Sequence, residues 1–559
     1  MDVQCGRFES ASPSGESLPA GVQAASLRSA STGLTRAVLA VASLSACTPD
    51  QLPPPMPDSA ARFLGQATLA ATPQDIDQLT QLGWDAWLDQ QFAMPASDSL
   101  WGWMMAKGFG AAQYKSTDVG IDNAIWSRLL NSPDTLRQRV VLALSEIFVV
   151  SVRNMPVPWG QFACAAYWDL LEAECFGNFR TLIERITLSP AMGVYLSMRG
   201  SSKEDALGRR PDENFARELL QLFTIGLVQL QPDGTPQLGA NGQATETYGN
   251  DDITGLARVF TGWDFDRFDA SSPAYTQRAM VFNQAAHSAA DKTFLGTTIA
   301  GSTPGEQALK MALDTICQHP NAAPFVARRL IQRLTSSNPS ADYVGRVAAV
   351  FQDNGQGVRG DMKAVIRTIL LDVEVRLGLS PMSSDVTGKL REPVLRFLQW
   401  ARVVRPQCTD GLWNVGDLSA SDRLGQSPMR SPSVFNFFRP AYVPPQSALA
   451  QQGLVAPEFQ ITDECTVIGY ANFMFQVLPF GAAGVKPDYA DWLPLASDPA
   501  ALVDRINLVF TGRALSAGLV SDLVTAITTL PMSQSDGALR RVITAMLIVL
   551  CSPEYLVQV

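Results

Sequence analysis

The chain has 559 residues, 46% hydrophobic and 17% charged, which is globular composition with ample core. Its 43 basic residues stand against 53 acidic ones, a net charge of −10, and no basic stripe interrupts that balance. Nucleic acid is therefore excluded as a partner.

Arg28 and Arg36 precede an apolar run from Ala37 to Ala46, and Leu44-Ser45-Ala46-Cys47 follows at its end. The run is too short to span a bilayer and stands where targeting signals stand. This order of charges, run and cysteine resembles a bacterial lipoprotein signal, which implies cleavage before Cys47 and a lipid on that residue. Residues 1–46 are thus read as the signal region. Residues before about Leu27 lack signal character, and a start codon assigned too far upstream would account for them. Thr48 gives no Asp-type retention cue, so the resemblance implies the outer membrane, facing either the periplasm or the exterior. Pro49, Pro53, Pro54, Pro55 and Pro57 make 47–58 an extended tether. Residues 59–559 are expected to form a single large helical domain.

Six further cysteines follow: Cys164, Cys175, Cys317, Cys408, Cys465 and Cys551. Cys164 and Cys175 look paired by sequence. On one helix they would sit about 16 Å apart, too far to bridge, so Cys175 is expected as a buried free thiol.

Helices are expected at 59–70, 72–91, 121–130 and 133–152. The last is apolar nearly all round and carries Glu146 in its middle. A carboxylate buried there needs a partner or a raised pKa. Arg137 and Arg139 share the helix but not the four-residue spacing, so a partner must come from elsewhere; a structural ion pair and a catalytic group both fit. Helices continue at 164–175, 178–188 and 192–198.

The stretch RPDENFARELLQLFTIG, 210–226, organises the rest. Pro211 suits a first helical turn, and Phe215, Leu219, Leu222 and Phe223 recur at helical spacing. Glu213, Asn214, Arg217, Glu218 and Gln221 fall on another face, where Glu213–Arg217 and Asn214–Glu218 are four apart. That face is either solvated or a site; it holds no Lys, the usual solvating residue. After an irregular excursion at 229–250 comes a helix at 251–261. A second irregular stretch, 264–306, contains His287, Asp291 and Lys292 and has room for one small hairpin. His287 is one of two histidines; its companion His319, before Pro320, reads as structural. Helices follow at 308–318, 320–334, 341–353, 360–372 and 386–404. The third long irregular stretch, 405–458, is rich in Pro, Asn and aromatic residues, which argues against disorder. Helices at 458–477, 499–511, 514–529 and 536–551 complete an all-α, bundle-like body with three long loops.

No GxxxxGK[ST], HExxH, GxSxG or strand-bound GxGxxG is present. Two histidines rule out a multi-histidine metal site. A carboxylate site for a divalent cation stays open, although no metal or other cofactor is predicted.

PDENFARELLQLFTIGL, followed by DDITGLARVFTGW, resembles the bacterial family called domain of unknown function 1800. LRQRVVLALSEIFVVS, GKLREPVLR, SPSVFNFFRPAYVPP, APEFQIT and the terminal SPEYLVQ carry the same resemblance, which covers nearly everything after Ala60. It implies an exported, mainly helical protein. Relatives stand beside a second family resembling the alkaline-phosphatase fold, which implies a protein partner. The motif residues carried over are Glu213, Asn214, Arg217, Glu218, Thr261, Gly262, Trp263, His287, Lys292, Arg391, Glu392, Asn436, Arg439 and Glu458. Ser288 stands where relatives often have Asp, which weakens a His–Asp pairing.

Two functions fit. The first is a surface or periplasmic binding or assembly protein, held to the membrane by its lipid. The alternative is an envelope hydrolase or lyase on a polymeric substrate. There Glu213, Glu218 and His287 would be catalytic, and Asn214, Arg217, Arg391, Glu392, Asn436 and Arg439 would bind. The alternative requires Glu213, Glu218, His287, Arg391 and Asn436 to converge.

Overall fold

The Thr135–Ile147 helix is buried along all but its last residue, so the remaining elements are arranged around it. It packs against the Pro57–Ala67, Trp84–Ala93, Gly160–Glu174 and Ala322–Leu334 helices. Leu136, Val140, Val141 and Leu144 are at most 1% exposed, and each such side chain contributes about 2 kcal/mol of burial. This computed structural model describes residues 52–377 and 388–558. The signal region 1–46, Cys47 and the first residues of the tether lie outside them. The contacts of Leu52–Val559 form one compact unit.

The architecture is predominantly helical, as the periodicity indicates. Helix starts follow local chemistry. Thr72 and Asp75 cap each other's backbone ahead of Pro73, and Ser340, Asp361 and Asp463 each accept an N–H of the first turn. Cys164 and Cys175 are both buried free thiols, one inside the Gly160–Glu174 helix and one at its end.

The expected helix at 211–226 is shorter and of two kinds. Asp212 Oδ1 accepts the N–H of Asn214 at 2.8 Å, and Ser201 Oγ accepts that of Asp212 at 3.1 Å. The helix therefore starts only after Pro211, as Asn214–Glu218. Leu219–Thr224 then continues as a wider π turn, in which Thr224 Oγ1 donates to the Leu219 carbonyl five residues back. The extra residue per turn rotates Leu222 out of the core-facing line.

Four short antiparallel strand pairs occur among the described residues. The hairpin expected within 264–306 is Lys292–Phe294 with Thr297–Ile299, turned by Leu295 and Gly296, both at positive φ. Trp263–Asp264 also pairs with Val281–Phe282. The helix expected from 386 begins only at Pro393, because Lys389–Leu390 is a strand paired with Val557–Gln558 at the end of the chain. The 405–458 stretch folds down on the body. Arg430 forks onto Asp122 at 3.0 and 2.6 Å, and the Met429 carbonyl accepts the N–H of Val152 at 3.0 Å.

Candidate functional site

The Ala322–Leu334 helix ends inside the protein, where its last carbonyls have no helical partner. Cations meet them. Lys389 Nζ donates to the carbonyls of Gln332 and Arg333 at 3.1 and 2.9 Å, and Arg139 Nη2 also donates to Arg333. Gln558 Nε2 donates to the Leu334 carbonyl at 3.0 Å. Positive groups at this end also complement the helix dipole. The strand pairing of Lys389 with Gln558 is what brings both side chains here.

Two carboxyl groups flank that ammonium, and a third lies beside them. Lys389 Nζ lies 3.0 Å from Glu458 and 3.4 Å from Glu392, all three side chains being essentially inaccessible. Glu146 reaches the same centre from the buried helix, where Arg333 Nη1 donates to it at 3.3 Å. Gln426 Nε2 contacts both Glu392 at 2.8 Å and Glu146 at 3.2 Å, while its Oε1 accepts the Val394 N–H. Glu146 and Glu392 also hydrogen-bond to each other, so they share a proton. Burial and the neighbouring Glu392 push Glu146 well above the usual carboxyl range. Glu392 is held down to about 2: burial opposes this, but Lys389, the Glu146 hydrogen bond, Arg333 and Arg139 outweigh it. Glu146 is the neutral donor and Glu392 the anion.

Glu146 separates two spaces. Inward lies a small cavity of about 10 Å³ lined by Gln426, Ser427, Ser431 and Asn436. Asn436 sits there at φ +61°, a conformation Asn tolerates better than most residues. Its Oδ1 accepts from Ser431 at 3.0 Å, and its Nδ2 has no partner among the described residues. Outward lies a narrow cleft with about 30 Å³ of inner space, floored by Glu146, Arg333 and Glu458. Its rim is Ile147, Leu222, Arg329, Val434, Phe435 and Pro440. Buried Glu458 Oε2 has no partner among the described residues. Among the described residues no three His, Cys, Asp or Glu side chains are arranged to hold a metal ion.

A second buried polar cluster forms around His287. Its Nδ1 donates to the Thr261 carbonyl at 2.9 Å, leaving Nε2 as a buried acceptor with no partner among the described residues. Ser288 donates to Glu204 at 3.1 Å, and Lys292 Nζ donates to the carbonyls of Ser288 and Ala290. Burial lowers the pKa of His287, keeping it neutral. Gly262 has φ +85°, and a Cβ there would stand 2.7 Å from the Asn283 carbonyl oxygen.

The opening helix forms a third group. Glu213 is half-exposed and pairs with Arg217 at 3.2 Å, while its other oxygen accepts from Thr254 at 2.8 Å. Asn214 is exposed. Glu218 is buried with one oxygen unpartnered, and burial raises its pKa.

A family model described as "Protein of unknown function (DUF1800)" matches residues 62–557. The chain belongs to that family. No curated protein and no solved structure matches it. The motif residues carried over by resemblance to DUF1800 do not form one constellation. Glu392, Asn436 and Glu458 meet at the Glu146 centre. Thr261, Gly262, His287 and Lys292 form the second cluster. Glu213, Asn214, Arg217 and Glu218 stay on the opening helix, which reaches the Glu146 cleft through apolar Leu222 instead. Arg391 turns away from Glu392: it stacks on the Tyr555 ring at 4.8 Å and donates to the Tyr555 carbonyl at 3.2 Å. Arg439 is exposed and stacks on Phe435 at 4.8 Å. Sequence reasoning singled out Glu146 and set Arg139 aside as its partner on helical spacing; it did not single out Arg329, Arg333 or Gln426. The signal for Arg333 was its place near the end of an amphipathic helix; for Gln426 there was none.

Proposed function

We propose that this chain is an exported cell-envelope lipoprotein, anchored through Cys47 in the outer membrane, that works as a binding or assembly protein. One observation carries the reading: an apolar helix face that nothing covers among the described residues. The Glu464–Phe480 helix has no charged residue after its first position. Val467, Ile468 and Phe475 lie on one side of it, 54%, 61% and 65% exposed, and Phe480 stands 79% exposed at its end, past Asn472 and Gln476. A groove of about 670 Å³ lined by Val415, Leu418, Ile468 and Phe473 runs beside it. Contiguous exposed apolar surface on a folded protein marks an interaction site. Asp422, Asp463 and Glu464 flank this face together with Arg423, a rim of mixed charge that suits a protein occupant better than an anionic lipid surface. The partner implied by the family resemblance is a protein of the alkaline-phosphatase type.

Two measurements test this. Cys47→Ala should abolish lipid labelling and move the protein from the membrane to the soluble fraction. Phe475→Glu with Phe480→Glu should abolish co-elution with a purified partner of that type in gel filtration. Membrane retention of the first variant, or undiminished co-elution of the second, would overturn the corresponding half of the reading.

An envelope hydrolase or lyase on a polymeric substrate needs other residues than Glu213, Glu218 and His287, which do not converge with Arg391 and Asn436, and one specific arrangement favours it. Glu146, a neutral carboxyl, and Glu458, ion-paired with Lys389, line one cleft and could act as acid and base. Loss of turnover in both Glu146→Gln and Glu458→Gln, with folding intact, is the outcome that reading requires.

A further inference from the structure

The outward cleft above Glu146 has a charge imbalance. Arg139, Arg329, Arg333 and Lys389 line or back it, against Glu392 and Glu458, while Glu146 shares its proton with Glu392. Positive charge is therefore in excess inside a molecule whose net charge is −10. Arg329 is the clearest case. Among the described residues it has no carboxylate partner: Nη1 donates to Gln332 Oε1 at 3.1 Å and the guanidinium lies over the Phe325 ring at 4.9 Å. Burial and the nearby Arg328 and Arg333 hold its pKa down to about 10. A half-buried guanidinium at the mouth of a cleft, surrounded by like charges, is a site for an anion.

The rest of the cleft narrows the choice of anion. Its walls at Ile147, Leu222, Val434 and Phe435 are apolar, so the anion carries a hydrocarbon part. The cleft's free space of about 30 Å³ is that of roughly two or three water molecules, so only a small head group enters it and the rest of the ligand lies in the open mouth. Glu458 is 1% exposed, lines the same cleft and has no partner for Oε2 among the described residues. An ionised oxygen there calls for a hydrogen-bond donor on the ligand. We propose that this cleft binds a short hydroxycarboxylate. Its carboxylate sits on Arg329 and Arg333, its hydroxyl donates to Glu458 Oε2, and its short carbon stem lies between Leu222 and Phe435. The proposal goes beyond both readings above, since binding requires neither a docked protein nor turnover.

The test is isothermal titration calorimetry on the purified protein at neutral pH with 3-hydroxybutyrate, butyrate, butylammonium and inorganic phosphate. 3-Hydroxybutyrate should bind, butyrate more weakly, and butylammonium and phosphate not at all. Arg329→Gln should weaken 3-hydroxybutyrate about tenfold, the loss of one charge-assisted contact, and Arg329→Lys should restore part of that. Glu458→Gln should erase the preference for the hydroxy acid over butyrate. Leu222→Phe, which leaves every charge in place, should block the stem and abolish binding of both acids. Phosphate binding with the same dependence on Arg329 would overturn the organic acid in favour of a general anion site. Equal affinity in wild type, Arg329→Gln and Leu222→Phe would overturn the cleft itself.

Discussion

Glu146 and Glu392 are the same side chain held in opposite protonation states, and that difference can be measured. Glu146→Gln replaces a neutral donor by a neutral donor, so urea unfolding at neutral pH should show a change within about 1 kcal/mol. Glu392→Gln removes the anion facing Lys389, Arg333 and Arg139, and should cost about 3–5 kcal/mol. The reverse order would show that the proton sits on Glu392. The pH dependence follows from the same assignment. With a folded pKa of about 2, Glu392 contributes stability above the ordinary Glu value near 4.5, and that contribution is lost as pH falls toward 2. His287 acts in another window. Its folded pKa is lowered, so the unfolded chain binds the proton more readily, and stability falls as pH drops below about 6.5. His319 is shifted the same way, so His287→Asn should remove part of that slope and leave the rest. An unchanged slope would place Nε2 of His287 in contact with water. Glu146 was legible in the sequence because a carboxylate on an all-apolar helix has to find a partner. The partner was not legible: Arg333 lies 187 residues away, and periodicity carries no information about which helices meet.

Elements were legible where one periodicity ran without interruption, and misread where a short polar contact or a distant strand intervened. The helix at 211–226 loses its first residues to the Asp212–Asn214 contact and its regular pitch to the π turn. The helix expected from 386 loses its start to a strand partner more than 160 residues away, at the far end of the chain. That partner is two residues long, below anything a sequence pattern can resolve, yet it holds Lys389 under the end of the Ala322–Leu334 helix. Removing residues 557–559 should therefore cost more than a frayed terminus. The Lys389–Leu390 pairing and the Gln558 bond to Leu334 both disappear, a loss of about 2–3 kcal/mol in urea unfolding. A truncated chain as stable as the full one would mean that Lys389 is held by its ion pairs alone. The turn packed against His287 offers a parallel test. Gly262→Ala must keep φ near +85° and push a Cβ against the Asn283 carbonyl, costing about 2 kcal/mol.

On the scale of the whole molecule, the sequence made the helical body and the three loops visible but not where the loops land. The 405–458 stretch supplies Gln426 and Asn436 to the Glu146 centre and Phe435 to the mouth of the cleft, while 264–306 supplies His287 to a separate cluster. Loops carry no period, so their destinations follow only from which buried charges remain to be matched. The exposed face of the Glu464–Phe480 helix is the opposite case, apolar surface left unmatched. Its large side chains contribute nothing to the fold, since they contact water, whereas Leu144 at 1% exposure sits in close-packed core. Leu144→Ala should thus cost about 2–5 kcal/mol. Phe475→Glu with Phe480→Glu should leave the urea midpoint unchanged within about 0.5 kcal/mol. The same double variant should lower the binding of an apolar dye such as ANS, because it removes the largest side chains from the uncovered patch. A midpoint that falls as far as that of Leu144→Ala would mean that this helix face is already covered in the isolated protein, and that its apolar residues serve the fold rather than a partner.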